Sequence, residues 1–531
     1  MGHMPQPLLF TRLLMYKAWV PRGARFWLVV FIALSYQLTG GIYLAALSQM
    51  VGSLAFLSED VTMAGYCSLI GLNMIFPILF RWKFYFFTRQ MFFVSSVGAL
   101  VCAIAAMYAT VPWVLWVICL AAGYFKMMGM FACMTTMQLN ITPSRNFGAF
   151  FPVVYLLVCG GIQLSGLLTA YITYFTDWRM TYLVIVVLML AVDAVVYFMM
   201  KPDHRSGPFV PLRGIDWIGH LLWTATSCVA AWLFCFGEHY DWWHSGEIWS
   251  ATWLMIALLA ITIAESAWRR EPFIALGAFR HRATWVMIGL LLGMGVLQAS
   301  AHVLQPVLMN AVSGYDYFTI VGFNYPELAG IIAGAILAYY AVIRLGWGLR
   351  AYFFTCFTLV TFYIMAIYFL INPATDGTLY YIPLFAFGMG EVMMESGITY
   401  MISRSIPFPH FFMNITITGF VRCGVGSAAT AAIVERLFAW SLGKAVMTGS
   451  PDTMTIERLA AEGATWARDY LTLQNLMAAL KECYGWLAIL GVVMMTTVLL
   501  SNYNTAFNGM LPRLVSVARW LRHPGTTAPH Q

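Results

Sequence analysis

Two glutamates, Glu391 and Glu395, lie within an apolar stretch that runs from Tyr380 to Met401. Residues four positions apart on a helix share one face, one turn above the other, so both carboxyls would point the same way. A carboxylate at the centre of a bilayer costs about 2.5–3.5 kcal/mol on insertion scales, so this face is not expected to meet lipid. Carboxyls that face a wet protein interior can bind and release protons, or pair with a buried cation.

Arg422 lies at a similar depth on the next apolar run, and two interpretations of the glutamates stay open. In the first, at least one glutamate handles protons or substrate. Burial favours the neutral carboxyl and a nearby cation favours the charged one, so a carboxyl balanced between them can carry a proton. In the second, the glutamates are structural partners of Arg422 in a satisfied ion pair.

The composition identifies an integral membrane protein. Apolar residues make up 61% of the chain and charged residues only 10%, against roughly 45–50% and ~25% in soluble domains. The ten cysteines lie mostly in apolar runs without a C-x-x-C pair, which argues against both disulfides and a metal site. No phosphate loop or hydrolase motif is present, so an intramembrane enzyme is disfavoured and no cofactor is predicted. The charges retained within the spans disfavour an inert scaffold, whose membrane centre should become apolar.

About 20 residues are needed to cross the hydrocarbon layer, and about fourteen apolar runs reach that length. They are 26–50, 61–80, 91–110, 112–135, 148–173, 179–200, 216–236, 248–267, 284–307, 325–343, 351–372, 379–402, 411–434 and 484–502. We number them as spans 1 to 14.

Charge alternates between the loops that join these spans. One side carries Lys17, Arg22, Arg25, Arg81, Lys83, Arg89, Arg145, Lys201, Arg205, Arg213, Arg269, Arg270, Arg280, Arg282, Arg344, Arg350, Arg404, Arg513, Arg519 and Arg522. The other side is acidic or neutral, with Glu59, Asp60, Glu238, Asp241, Glu247, Asp316 and Asp376. Cytoplasmic loops are enriched in basic residues, so both termini are predicted to be cytoplasmic. The net charge of +7 therefore sets orientation, and nucleic-acid binding is not expected.

Several stretches resemble the fourteen-span drug:proton antiporters of the major facilitator superfamily, the EmrB-like group. The resemblance is carried by "LTGGIYLAALSQM" (38–50), "TPSRNFGAF" (142–150), "YITYFTDWRMTYLV" (171–184), the block 215–282, "LQPVLMNAVSGY" (304–315) and "GFVRCGVGSAAT" (419–430). Some family positions differ: Thr39 replaces the acid of the first span, and "SGLLTA" (165–170) replaces a Gly-Pro motif of the fifth. The family's proton-coupling residues are therefore not carried over at these positions.

The resemblance implies an all-α integral membrane protein with the major facilitator fold: two six-helix halves plus two extra central spans. The implied division is a cytoplasmic N-terminus 1–25 (1–4 resemble a cloning remnant), a first half 26–200, a linker 201–283 with the two extra spans, a second half 284–502 and a cytoplasmic tail 503–531. Residues 435–483 form the one large external loop, in which one or two helices are expected.

In this fold the first and fourth helices of each half line a central cavity, which here means spans 1, 4, 9 and 12. Buried polar residues fall on these spans, with Arg422 on the neighbouring span 13: Tyr36, Gln37, Thr39, Lys126, Gln298, His302, Gln305, Glu391 and Glu395. Lys126 could bind an anionic substrate, hold a glutamate, or form a plain interhelical salt bridge. His302 could relay protons, but a hydrogen-bonded packing histidine is the commoner case.

The leading functional prediction is a proton-coupled efflux transporter for hydrophobic or amphipathic small molecules, working by alternating access in a bacterial inner membrane. The alternative is a dedicated exporter of one metabolite, siderophore or lipid-like anionic compound, which Lys126 favours. The resemblance further implies a membrane-fusion adaptor and an outer-membrane channel as partners, with loop 435–483 as the docking surface.

Overall fold

The computed structural model describes residues 15–141, 147–205, 209–269, 271–406, 408–448 and 465–501. The tail 503–531 and residues 1–14 of the predicted N-terminal segment lie outside these ranges. Regular structure in the described residues is helical, as expected for a chain that must satisfy its backbone hydrogen bonds within lipid.

Eighteen α-helices are present in the described part of the chain. The first ten are α1 (Arg22–Leu38), α2 (Leu47–Leu54), α3 (Ser58–Met74), α4 (Phe76–Tyr85), α5 (Thr88–Met107), α6 (Pro112–Ile141), α7 (Phe147–Phe175), α8 (Arg179–Met199), α9 (Trp217–Phe236) and α10 (Gly246–Trp268). The others are α11 (Arg282–Val307), α12 (Tyr317–Gly322), α13 (Asn324–Ile343), α14 (Leu349–Leu370), α15 (Tyr381–Ser405), α16 (Phe408–Arg422), α17 (Val425–Thr448) and α18 (Thr465–Leu500).

Eleven helical segments of the described chain are long and apolar enough to cross a membrane, and α3 with α4, bent by 52°, makes a twelfth. The predicted count of fourteen is not confirmed. Span 1 is divided between the two short helices α1 and α2. Span 12 corresponds to α15, which carries the two glutamates and buries most of its residues among other helices, so it needs less apolar surface than a lipid-facing span.

The break in span 1 follows from a glycine. Gly41 has φ +78°, a conformation that L side chains rarely adopt. A Cβ at Gly41 would lie 3.0 Å from Ala122 Cβ and 3.1 Å from Cys119 Cα, both on α6. Because the backbone turns here against α6, helix α1 ends at Leu38 and its last carbonyls need partners other than the next helical turn.

We call α1 to α8 the first set of helices and α11 to α18 the second set, and the two sets pack together on two sides. On one side α7 packs against α13 and α15. On the other, α9 packs against both α3 and α17, so α9 touches both sets. We call the end of the bundle where α4 meets α5 and α13 meets α14 the basic end, because Arg81, Lys83, Arg344 and Arg350 lie there.

The predicted external loop 435–483 is largely helical where it is described. Helix α17 continues to Thr448 and α18 begins at Thr465, so both helices extend beyond the predicted spans, and 449–464 lies outside the described residues. Lys444 Nζ and Glu482 Oε1 lie 2.6 Å apart and join the two extensions. Paired charges of this kind are tolerated on the part of a helix that extends outside the hydrocarbon layer.

Candidate functional site

The centre of the site is an ion pair between α15 and α16. Arg422 Nη1 lies 2.6 Å from Glu395 Oε2, and Glu395 is only 7% exposed. The guanidinium also lies over the Tyr155 ring of α7, 5.4 Å from the ring centre. Tyr155 in turn shares a hydrogen bond of 2.7 Å with Thr399 of α15. The ion pair therefore sits where the first set of helices touches the second.

Arg422 is positioned by a break between α16 and α17. Arg422 is the last residue of α16, and Gly424 follows with φ +69°. A Cβ at Gly424 would lie 2.8 Å from Ile70 Cγ1 on α3, so only glycine fits both the turn and the close approach. The break also leaves Arg422 Nε beside Cys423 Sγ, at 3.2 Å.

Glu391 lies one turn before Glu395 on the same helix, as the four-residue spacing predicts. Its side chain is half-buried, and it forms no hydrogen bond or ion pair in the described part of the chain. Glu395 and Arg422 both act on it electrostatically. The two glutamates therefore differ in kind: Glu395 has a bound cation, whereas Glu391 has a cation close by but no partner.

Lys126 of α6 is bound to the end of a broken helix. Its Nζ donates a 3.0 Å hydrogen bond to the carbonyl oxygen of Gln37, one of the carbonyls left free where α1 ends. Cations are favourable near helix C-termini for this reason. No carboxylate lies within salt-bridge distance of Lys126 in the described residues, so of the possibilities left open, neither the contact with a glutamate nor the interhelical salt bridge is formed in this conformation.

Tyr36 and Thr39 lie inside the first set of helices. The Tyr36 side chain is fully buried, and its hydroxyl reaches Ser95 Oγ at 2.5 Å and the Phe92 carbonyl at 3.0 Å on α5. Thr39 donates to the Tyr36 carbonyl at 2.7 Å. Both side chains therefore have partners within the helix packing rather than around Glu395.

The predicted cavity residues of α11 differ from one another in exposure and hydrogen bonding. His302 is exposed and Gln298 half-buried, and neither has a hydrogen bond among the described residues. Gln305 accepts a 2.6 Å hydrogen bond from Tyr363 of α14. Pro306 and a π-helical turn over Leu308–Val312 interrupt α11 next to these residues.

One buried carboxyl was missed from the sequence. Glu327 is 8% exposed in the first turn of α13 and accepts a hydrogen bond from Gln163 Nε2 of α7. Glu327 lies two residues inside predicted span 10, where an acid is typical of a helix start at the membrane surface. The apolar residues Ile320 and Val321, which precede predicted span 10, were the signal that the membrane region begins earlier in the chain.

The two sets of helices also meet at the basic end. Asn73 of α3 donates a 3.0 Å hydrogen bond to the Gly419 carbonyl of α16. Next to it, the rings of Phe76 and Phe80 pack against Phe412, with ring centres 6.1 and 5.0 Å apart. These contacts join the halves on the side of Arg422 that faces the basic loops.

The arrangement can bind a proton and can bind charge. No group of three or more His, Cys, Asp and Glu side chains that could hold a metal ion occurs among the described residues. Glu327 and the Glu395–Arg422 pair lie along contacts between the two helix sets, where a relative movement of the sets would change their surroundings.

A family profile described as Major Facilitator Superfamily matches residues 26–431. The chain belongs to this superfamily. Solved structures of transporters share its fold. A bacterial homologue of the human drug peptide transporters PepT1 and PepT2 superposes with a TM-score of 0.57 and 14% identity, over 93% of this chain and all (100%) of the other. A mutant of the nucleoside transporter NupG gives a TM-score of 0.54 and 11% identity, over 89% and 98%.

Tetrameric PepTSo2 is a similar case, with a TM-score of 0.54, 14% identity and coverage of 90% and 97%. At these identities the likeness establishes the fold alone, and neither an activity nor a substrate. None of the curated proteins matches the chain. Membership of the superfamily confirms the coarser part of the resemblance, while the fourteen-span EmrB-like group stays a prediction.

Proposed function

We propose that this superfamily member is a proton-coupled antiporter that exports hydrophobic or amphipathic small molecules by alternating access. The observation that carries the proposal is the pair of unlike glutamates. Glu395 is neutralised by Arg422 at 2.6 Å, whereas Glu391, one turn away, has no partner among the described residues. A carboxyl near a cation but not bound to it can change protonation when its surroundings change.

In this proposal the glutamates have separate roles. Glu391 exchanges a proton for substrate, and the Glu395–Arg422 pair holds α15 against α16 and sets the local charge. Burying an ion pair is costly unless both members remain paired, so Glu395 is the poorer candidate for a group that gains and loses a proton in every cycle.

The test is proton release from the purified full-length chain in weakly buffered detergent on addition of candidate lipophilic compounds. We expect Glu391→Gln to bind compound without releasing a proton. Glu247→Gln, which changes an exposed carboxylate at the start of α10, is the matched control and should behave like wild type. Proton release by Glu391→Gln at the wild-type level would overturn the proposal.

A second function, the dedicated export of one anionic metabolite, siderophore or lipid-like compound, is favoured by Lys126. Its ammonium is bound to a backbone carbonyl and not to a carboxylate, so its charge is available to an anion. The two functions differ in compound range. If expression protects cells against many unrelated cationic and neutral drugs, drug export is supported. If only one class of anion competes for transport, the dedicated export of one metabolite is supported.

The predicted surroundings belong to the same proposal: a bacterial inner membrane, cytoplasmic termini, and an adaptor with an outer-membrane channel as partners. The alternation of basic and acidic loops supports the orientation. Copurification of an adaptor from cross-linked membranes, with 449–464 deleted as the comparison, tests whether the external segment docks it.

A further inference from the structure

Glu327 is a buried carboxyl at the contact between the two helix sets. It belongs to α13 of the second set, and its hydrogen-bond donor, Gln163, belongs to α7 of the first. The backbone around it is tightly packed, because a Cβ on Gly388 of α15 would lie 3.2 Å from Glu327 Cγ. A charge at this position has no room for a hydration shell.

No cation lies within salt-bridge distance of Glu327 among the described residues. Neither α7 nor α13 contains a lysine, arginine or histidine. The titratable groups of other helices that interact with it electrostatically are Glu391 of α15 and Tyr363 of α14, neither of which is a cation. An ionised carboxylate with one amide donor and no counter-ion is expensive in a buried site, so the packed arrangement favours the protonated form.

The other described hydrogen bonds that join α7 to α12 and α13 are between neutral groups. Towards the end opposite the basic end, the hydroxyls of Tyr171 and Tyr325 of α13 lie 2.8 Å apart, and those of Thr173 and Tyr317 of α12 lie 3.1 Å apart. Phenols and alcohols hold no charge at neutral pH, so among the described residues of the α7–α13 contact Glu327 is the group that titrates near it.

We propose that Glu327 is a second proton-binding residue of the transport cycle, holding a proton while α7 and α13 are in contact and releasing it to water when they separate. The inference rests on the proposed function and adds to it a second proton per cycle, bound apart from Glu391. A protonated carboxyl can accept from Gln163 and also donate its own O–H, whereas the carboxylate can only accept. Low pH therefore favours the contact, and high pH favours its opening.

The reporter for the contact is Gly166→Cys on α7. A Cβ there would have only the Asn324 side chain of α13 within 4 Å, at 3.9 Å, so a thiol fits and is covered or uncovered as the helices move. The rate of modification by a water-soluble maleimide is measured on the full-length protein in nanodiscs, above the background of the ten native cysteines, in acidic and alkaline buffer.

We expect modification to be slow in acid and fast in alkali, and Glu327→Gln to remove this dependence and stay at the slow rate. If Glu327→Gln keeps the pH dependence of its parent, the proposal is wrong. A second variant, Gln163→Glu, places another carboxyl against Glu327, and two carboxyls in contact do not both ionise. Because both can ionise only when the helices separate, the pH at which modification becomes fast should be lower in this variant. An unchanged pH profile of modification would also overturn the proposal.

This experiment needs no transported compound, so its failure is separate from that of the proposed function. Glu391→Gln, which tests the antiporter through compound-induced proton release, should retain the pH dependence of Gly166→Cys modification. If Glu391→Gln loses that dependence, the pH response of the α7–α13 contact belongs to Glu391, and the role given to Glu327 is wrong.

Discussion

Two cations lie on helices of the bundle, Lys126 in the first set and Arg422 in the second, and they are held in different ways. In the second half, Arg422 is bound to the Glu395 carboxylate at 2.6 Å. In the first half, Lys126 is bound to the Gln37 carbonyl at 3.0 Å, where α1 is broken. An ion pair neutralises its charge, whereas a carbonyl only orients it. Under the proposed function, Arg422 is therefore structural and the Lys126 charge is available to substrate.

The largest effect is expected from Arg422→Met, which leaves Glu395 buried without its cation. Breaking a buried pair by removing one member costs about 3–5 kcal/mol of folding free energy. Thermal unfolding in detergent should show a large loss for the single variant. The double variant Arg422→Met with Glu395→Leu should recover much of it, because no charge is left unpaired. A double variant as unstable as the single one would contradict the structural role.

A smaller loss of stability is expected from Gly41→Ala, which disturbs the helix break that leaves the Gln37 carbonyl free to bind Lys126. A residue with a Cβ at φ +78° is strained by about 1–3 kcal/mol, and its Cβ would press on α6. Gly40→Ala is the matched control, since a Cβ there meets only the Ile42 carbonyl at 3.6 Å. Thermal unfolding should separate the two variants, and equal stability would show that the break tolerates a side chain.

Lys126→Met should change stability by only about 1 kcal/mol, because it removes one hydrogen bond to a carbonyl. Its main effect should be weaker binding of anionic compounds, measured by isothermal titration with the purified protein. If Lys126→Met is as destabilising as Arg422→Met, the two cations are equivalent and the comparison fails.

The smallest effect is expected from Asn73→Ala at the basic end. An interhelical hydrogen bond within a membrane protein contributes about 0.6 kcal/mol on average. Chemical unfolding in mixed micelles should show a loss of that order relative to Asn310→Ala, an exposed asparagine with no hydrogen bond in the described residues. A loss several times larger would show that the Asn73–Gly419 contact holds the two halves together.

Much of the fold follows from local patterns. The apolar runs predicted helices at the positions of all of α3 to α11 and α13 to α18, because a helix in lipid satisfies its own backbone. The spacing of Glu391 and Glu395 placed both on one face of one helix, and the next apolar run offered Arg422 as a partner. The break in span 1 was not predicted, although "TGGIYL" (39–44) contains the glycine that causes it.

The amino-acid sequence determined the membrane class, the helices and the presence of uncompensated charge within them, since these depend on composition and on spacing along one chain segment. Only the tertiary structure decided which charges meet. Glu395 and not Glu391 holds Arg422, Lys126 holds a carbonyl, and Glu327 meets Gln163 although they are 164 residues apart. These pairings depend on the rotation and depth of helices packed against one another, and apolar runs whose ends are uncertain by a few residues do not specify either.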